Sequence, residues 1–420
     1  MKQQFELTGS YKKWTAGLIG AGLLALLYGI VMFHPFAHTA HAANGEYSAS
    51  TRFWATLLQN SVYWLLVVNA AMFFICVTTM AMGGWQIALR RVPEAISSVV
   101  PILGVITFLI LMAIVWGGHT DIYHWLDKEA VSNDKILNGK SGFLNAKFFT
   151  VWSAVCITLW WLLGRKMRSM SLESDKNGQM DYETGKKWIW KNTVWASLFT
   201  VFFGLSVAST APWLWLMSID AHWYSTMYSW YTFASTFVAG MSLVAIYVIY
   251  LKNQGQLEYV TEEHLHDVGK FMFAFSVFWT YLWFSQYMLI WYSNQPEETK
   301  YFIQRIGTAD KSGPYKGIFF LNLILNFLCP LLILMKRSAK RNWTMVTFMA
   351  GLIIFGHWLD FYQMVMPGTM KDHAKMMPFE FGIAALFIGI IMWGVGRYIT
   401  KNPLLAKNHP FLKESMIHHT

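Results

Sequence analysis

Hydrophobic residues in this chain come in long unbroken runs, not in the alternating or three-to-four spaced stripes of a soluble core. Runs close to membrane-spanning length cover roughly 15–34, 59–81, 95–116, 146–164, 193–212, 229–251, 270–292, 317–335, 343–363 and 379–396. A bilayer core about 30 Å thick takes about 20 apolar residues as an α-helix. A helix also pairs its backbone groups internally, as hydrocarbon requires. The pattern therefore predicts an all-α integral membrane protein, about ten transmembrane helices in a single membrane domain over 1–420.

Charge tests that count. Assigning the segments between runs alternately to two sides puts 22 of the 33 Lys and Arg on the side that holds both ends, and 11 on the other. Loops on the cytoplasmic side carry the surplus of basic residues, so both termini are expected in the cytoplasm of a multi-pass protein. A miscount of one span would scramble this bias. Residues 12–43 have a basic start, an apolar stretch and the small-residue run Ala40-His41-Ala42-Ala43, which imitates a signal peptide. The apolar stretch is long for a signal sequence, and a retained first helix is expected.

Composition changes the picture little. The chain is 55% hydrophobic and only 13% charged, against about a quarter charged in soluble domains. The net charge of +10 is explained by cytoplasmic loops, and no basic patch on a soluble fold suggests nucleic acid. Cys76, Cys156 and Cys329 stand alone in apolar runs, without CxxC or CxxCH spacing, and read as small buried hydrophobes. Trp213, Trp215, Trp223, Tyr224, Tyr228, Trp230 and Tyr231 read as an interfacial aromatic belt. The polar loop 165–192 is too short for a soluble catalytic domain.

Ionisable groups at membrane depth are costly and mark functional sites. His357 and Asp360 in GHWLDFYQMVMP lie three apart on one helix face, able to share a proton or hydrogen bond. Asp360 is the acid expected inside a span. His119, Asp121 and His124 in GGHTDIYH, and Asp220 and His222 in SIDAHWYSTM, fall beyond span ends, where solvent exposure is the ordinary reading. Glu94 starts the third span. Glu258, Glu262, Glu263, His264, His266 and Asp267 form a cytoplasmic cluster expected to be a solvated face, with a proton antenna as the sharper alternative. Tyr281 and Ser285, four apart, offer a hydrogen-bonded path inward. A bis-histidine haem b would need facing histidines deep in the spans, and His34 and His357 sit near helix ends.

At HLHDVGKFMFAFSVFWTYLWFSQYMLIWYSNQPEET (264–299) the chain resembles the NrfD-like membrane subunits of bacterial alternative complex III, a quinol:cytochrome c oxidoreductase. SIDAHWYSTMYSWYTFASTFVAG (218–240), GHWLDFYQMVMPG (356–368) and HPFLKESMIHH (409–419) carry the same resemblance, which covers about half the chain and is closer to the shorter, second subunit of that kind. It implies two four-helix bundles, 59–212 and 229–363, flanked by helices at 15–34 and 379–396. It also implies a bacterial inner-membrane location and a place in a respiratory chain. Implied partners are a sister NrfD-like subunit, an iron–sulfur subunit, multihaem cytochrome c subunits, a terminal oxidase and membrane lipid. Haem c and iron–sulfur clusters would belong to those partners, with quinone and phospholipid as the ligands of the membrane part. This chain would bind no metal and hold no catalytic centre; it would support quinol oxidation and offer a proton path. His357, Asp360, Tyr281, Asp220 and His222 are carried over as proton-path residues from the matching motifs, while His119 and Asp121 rest on their chemistry alone.

Two other functions fit the residues. One is a quinol site of this chain's own beside His119, Asp121 and His124. The other is a proton-coupled transporter, which calls for spans broken at matching positions of two halves.

Overall fold

A computed structural model describes residues 5–36, 49–176, 178–373 and 375–419. The Ala40–Ala43 run lies outside the described residues. Among the described residues, nine helices are long and apolar enough to cross a bilayer: α1 (Gly9–Phe33), α2 (Ala49–Met80), α3 (Arg91–Trp116), α4 (Ala146–Lys176), α5 (Tyr182–Trp215), α6 (Met227–Asn253), α8 (Lys316–Leu334), α9 (Trp343–Met370) and α10 (Pro378–Lys401). The expected run 270–292 lies in α7 (Glu262–Ser293), a helix of 32 residues. It has the length to cross, but Trp279, Tyr281, Trp283, Tyr287, Trp291 and Tyr292 take places that aliphatic residues fill in the other nine, which lowers its mean hydropathy. The chain is thus a helical, multi-pass membrane protein.

Local chemistry sets the helix ends. The Thr8 hydroxyl accepts from the Tyr11 amide at 3.2 Å to start α1, which ends on His34 in the left-handed region (φ 43°). The Asn342 side chain accepts from Met345 at 3.0 Å to start α9. Pro378 opens α10, and Glu380 reaches back to the Met377 amide at 2.8 Å. Each arrangement satisfies one of the orphan donors that every helix start leaves.

α2 and α6 form the centre. Their most apolar stretches are 83% and 89% buried, whereas that of α1 is 17% buried. A helix apolar on all sides needs other helices or lipid on all sides. α2 packs on α3 and α5, α3 on α4, and α4 on α5; α6 packs on α7 and α9, α7 on α8, and α8 on α9. The two rings share the contacts of α2 with α6 and α9, and α10 lies against α2 and α1. Between lipid-bathed helices, close backbone approach replaces the hydrophobic drive. At Gly22 an added Cβ would lie 2.6 Å from the Leu386 Cα, so α1 and α10 lock there backbone to backbone.

Two spans are locally unwound. α5 carries a π turn over Ser206–Thr210 followed by Pro212, and α8 carries one over Ile324–Leu328 followed by Pro330. Such turns are rare and concentrate at functional sites.

Much of the expected aromatic belt is core. Trp215, Trp223, Tyr228 and Tyr231 are buried, and only Tyr224 and Trp230 of the seven are largely exposed. Their amphipathic rings fit a membrane interface equally well as sequence; tertiary packing decides otherwise, Trp215 against Trp160 of α4, Trp223 against Tyr301 and Tyr231 against Trp279 of α7.

Candidate functional site

His357 and Asp360 share one face of α9, and that face points into the middle of the α6–α9 ring, where both residues have no exposed surface. Neither is wetted at a helix end. All four helices supply the surroundings. The Asp360 carboxylate accepts from Trp279 Nε1 of α7 at 2.9 Å, from Asn322 Nδ2 of α8 at 2.8 Å, and from the Tyr231 hydroxyl of α6. The Ser235 hydroxyl pairs with His357 Nδ1 at 2.9 Å. His357 Nδ1 lies 3.8 Å from the nearer Asp360 oxygen, beyond hydrogen-bond reach, and its Nε2 has no partner. Among the described residues, His357 is the one basic side chain within 4 Å of this acid. Asp360 is thus a buried carboxyl that accepts from three donors, with no Lys or Arg within 4 Å of it among the described residues.

The network continues in both directions from Asp360. On one side Asn326 Nδ2 donates to Asn322 Oδ1 at 2.5 Å, and Asn326 sits in the π turn of α8, with its own Oδ1 unpartnered. On the other, Tyr231 and Asn322 line a small cavity together with Trp283, Gln286, Arg305 and Gln363. Arg305 is 2% exposed. It donates to the Tyr301 carbonyl at 2.6 Å and to the Gln363 carbonyl at 2.8 Å, and stacks 3.4 Å over the Tyr301 ring. It meets carbonyls and a π face, and its guanidinium group lines the cavity.

Gly356 lets α9 approach Asn326. A Cβ there would lie 2.2 Å from Asn326 Oδ1 and 3.1 Å from Leu325 Cβ. Gly356→Ala is therefore expected to push Asn326 off Asn322 and to cost about 1–3 kcal/mol through overpacking. A lowered unfolding midpoint in detergent checks this, and an unchanged midpoint refutes it.

The other sequence candidates are scattered. Asp220 closes a short 3₁₀ turn against Gly368 of α9, with Oδ2 3.2 Å from that residue's ideal Cβ position. His222 Nε2 pairs with Asp134 at 2.5 Å in a half-exposed contact. His119 is half-buried against the Trp54 ring, and burial lowers its pKa more than Asp121 raises it. Asp121 is exposed and accepts from Thr51 at 3.3 Å, and His124 is exposed. Tyr281 lies 61% exposed on the outer face of α7, away from the Asp360 network, and Ser285 is half-buried.

The residues that complete the site were hidden in the sequence. Tyr231 was assigned to the belt, and Trp279 was one aromatic among many. Asn322 and Asn326 did carry a signal: two amides four apart inside the apolar run FFLNLILNFL. A second buried acid, Glu380, lies at the start of α10, paired with Arg52 at 2.7 Å. Asp360 is thus not alone inside the spans; Arg52 itself falls in α2 because that helix begins ten residues before its apolar run.

Only part of the 258–267 cluster is a solvated face: Glu258 and Glu262 are exposed. His264, His266 and Asp267 are buried. The C-terminal tail covers them: His418 Nε2 meets Asp267 at 2.6 Å, and Ser415 Oγ meets His264 Nε2 at 3.3 Å. Glu263 pairs with Arg341 at 2.6 Å. Burial first, then His418, pushes the His264 pKa down to about 4. His409 is held well below its usual value by burial and by Arg90 and Arg91. A histidine near its ordinary value when undocked and depressed when docked favours docking above pH about 6.5, and loses that contribution as pH falls toward 4. Amide protection over 409–419, taken relative to the unstructured exchange rate at each pH, is expected to be lower at pH 5 than at pH 7.5; equal protection at both would contradict it.

The chain matches no family model and no curated protein.

Proposed function

We propose that this chain is a membrane subunit of a bacterial quinol:cytochrome c oxidoreductase of the alternative complex III type, supporting quinol oxidation and carrying protons through Asp360. One observation carries this reading. The stretches that resemble the NrfD-like subunits lie far apart in sequence yet meet in two places. Tyr231 of 218–240, Trp279 of 264–299 and Asp360 of 356–368 join at one carboxylate. His418 and Ser415 of 409–419 dock on Asp267 and His264 at the start of the 264–299 stretch. Shared residues that co-localise argue for a shared device more strongly than shared hydrophobicity does.

On this reading α1–α10 all cross the inner membrane with both termini in the cytoplasm. The α2–α5 and α6–α9 rings are the two bundles, and iron–sulfur and multihaem partners carry the electrons. A proton would move between Asn326, Asn322, Asp360 and Tyr231 toward the cavity beside Arg305. The chemistry this chain supplies is proton exchange and orientation. Native mass spectrometry of gently solubilised membranes tests the assignment: multihaem and iron–sulfur proteins should co-purify with the chain, and isolation as a lone polypeptide would overturn it.

A quinol site of this chain's own is favoured by the same cavity, not by the His119 loop. Trp283, Phe302 and Phe319 give it flat walls, and the Gln286 and Gln363 side-chain oxygens have no partner. A photoreactive quinone that labels α7 or α8 peptides would establish it, whereas labelling of the sister subunit alone would exclude it. The transporter reading has less support. The unwound spans are α5 and α8, which do not occupy matching positions in α2–α5 and α6–α9.

A further inference from the structure

The other half of the molecule holds an ionic cluster that the proton path does not use. Arg90 Nε meets Glu94 at 3.1 Å and Arg91 Nη1 meets the same carboxylate at 2.7 Å. Arg91 also pairs with Asp175, while Arg168 donates only to Ser97, at 3.1 Å. Arg90, Arg91 and Glu94 are each 1% exposed, Arg168 is 8% exposed and the Asp175 side chain 13%. Three guanidinium groups thus share two carboxylates, and one positive charge is left over in a low-dielectric setting.

One of these guanidinium groups, that of Arg90, lines a cavity. Arg90 Nη2 has no hydrogen-bond partner, nor do the two amide atoms of Gln86, nor Asn192 Oδ1. Gln86 and Asn192 are each 1% exposed, and all three residues line one small cavity with Thr78, Thr79 and His409. Four buried polar atoms without a protein partner thus converge on one space. The cavity shares Ile189, His409 and Phe411 with a larger groove that runs out along the C-terminal tail, lined by Lys186, Lys407 and Lys413 and by one acid, Asp181.

We infer that this cavity and groove form a binding site for a phosphate-class oxyanion, held by Arg90 and Gln86 at its inner end. Gln86 Nε2 and Arg90 Nη2 donate to the anion. Gln86 Oε1 and Asn192 Oδ1 accept from a protonated oxygen, hydroxyl or ammonium next to it. The three lysines draw the group in from the aqueous rim. A phospholipid headgroup at the membrane surface and free phosphate both present this chemistry.

The test uses the delipidated full chain in detergent, titrated separately with inorganic phosphate, with sn-glycerol 3-phosphate and with short-chain phosphatidylglycerol, against sodium chloride of equal ionic strength. Binding is read by calorimetry and by the unfolding midpoint. Saturable binding that weakens at least tenfold in Gln86→Leu and in the near-isosteric Gln86→Glu supports the site. Gln86→Glu keeps the shape and repels an anion, so it separates lost binding from lost folding. Saturation by the lipid alone assigns a headgroup, and saturation by phosphate or glycerol phosphate alone assigns a soluble anion. No saturable binding by any of the three, or binding unchanged in both variants, overturns the inference.

Discussion

Asp360→Asn in the assembled complex is expected to leave quinol oxidation close to the wild-type rate while proton translocation falls to background. The substitution keeps the volume of the side chain; with the amide nitrogen in the place of Oδ1 it donates to the Tyr231 oxygen, the remaining oxygen still accepts from Trp279, and the bond from Asn322 is lost. What it removes is the exchangeable proton. Asp360→Ala is a different experiment, because it leaves up to three buried donors unmet at about 1–3 kcal/mol each; its losses would be of stability as much as of function. The proton-to-electron ratio in proteoliposomes is the deciding measurement. An unchanged ratio in Asp360→Asn would remove Asp360 from any proton path. Equal loss of oxidation and translocation would instead favour the quinol-site reading at the adjoining cavity.

The second large effect is structural. Arg52 of α2 and Glu380 of α10 form an ion pair with side chains 4% and 0% exposed. Arg52 also donates to the Lys375 carbonyl at 2.7 Å and the His373 carbonyl at 3.0 Å, so it pins the segment between α9 and α10 as well. Arg52→Met strands a carboxylate in the packed interior and is expected to cost about 3–5 kcal/mol. Arg52→Met with Glu380→Gln removes both charges and keeps an acceptor for the Met377 amide. It is expected to recover most of that loss, since a neutral pair escapes the desolvation of two ions. The unfolding midpoint of the two single variants and the double variant measures the coupling. If the double variant is as unstable as the sum of the singles, the two charges act independently and the pair is not the anchor.

The sequence by itself determined that the chain is helical and crosses the membrane many times, because run length against bilayer thickness leaves few alternatives. It also supplied His357 and Asp360, since an acid and a base three apart in an apolar run share a helix face in any fold. Beyond that its reach was limited by a physical ambiguity. A Tyr or Trp near a span end is amphipathic and suits an interface or a core hydrogen bond equally, so Tyr231 and Trp279 could not be placed. An acid at a run boundary, such as Glu380, reads as solvated until a partner from another helix is seen. The buried His264, His266 and Asp267 looked like loop because the tail that covers them lies some 150 residues away in sequence.

Tertiary structure alone decided which polar groups face one another. Side-chain partners here come from helices separated by dozens to hundreds of residues, and local periodicity carries no information about such pairs. Packing brought α6, α7 and α8 around one carboxylate, and the π turn in α8 set Asn326 beside it. The same packing gathered Arg90, Gln86 and Asn192 around an unfilled cavity. The apolar pattern with which the reading began thus specifies the solvent the helices meet; the few polar atoms they close around specify what the protein does.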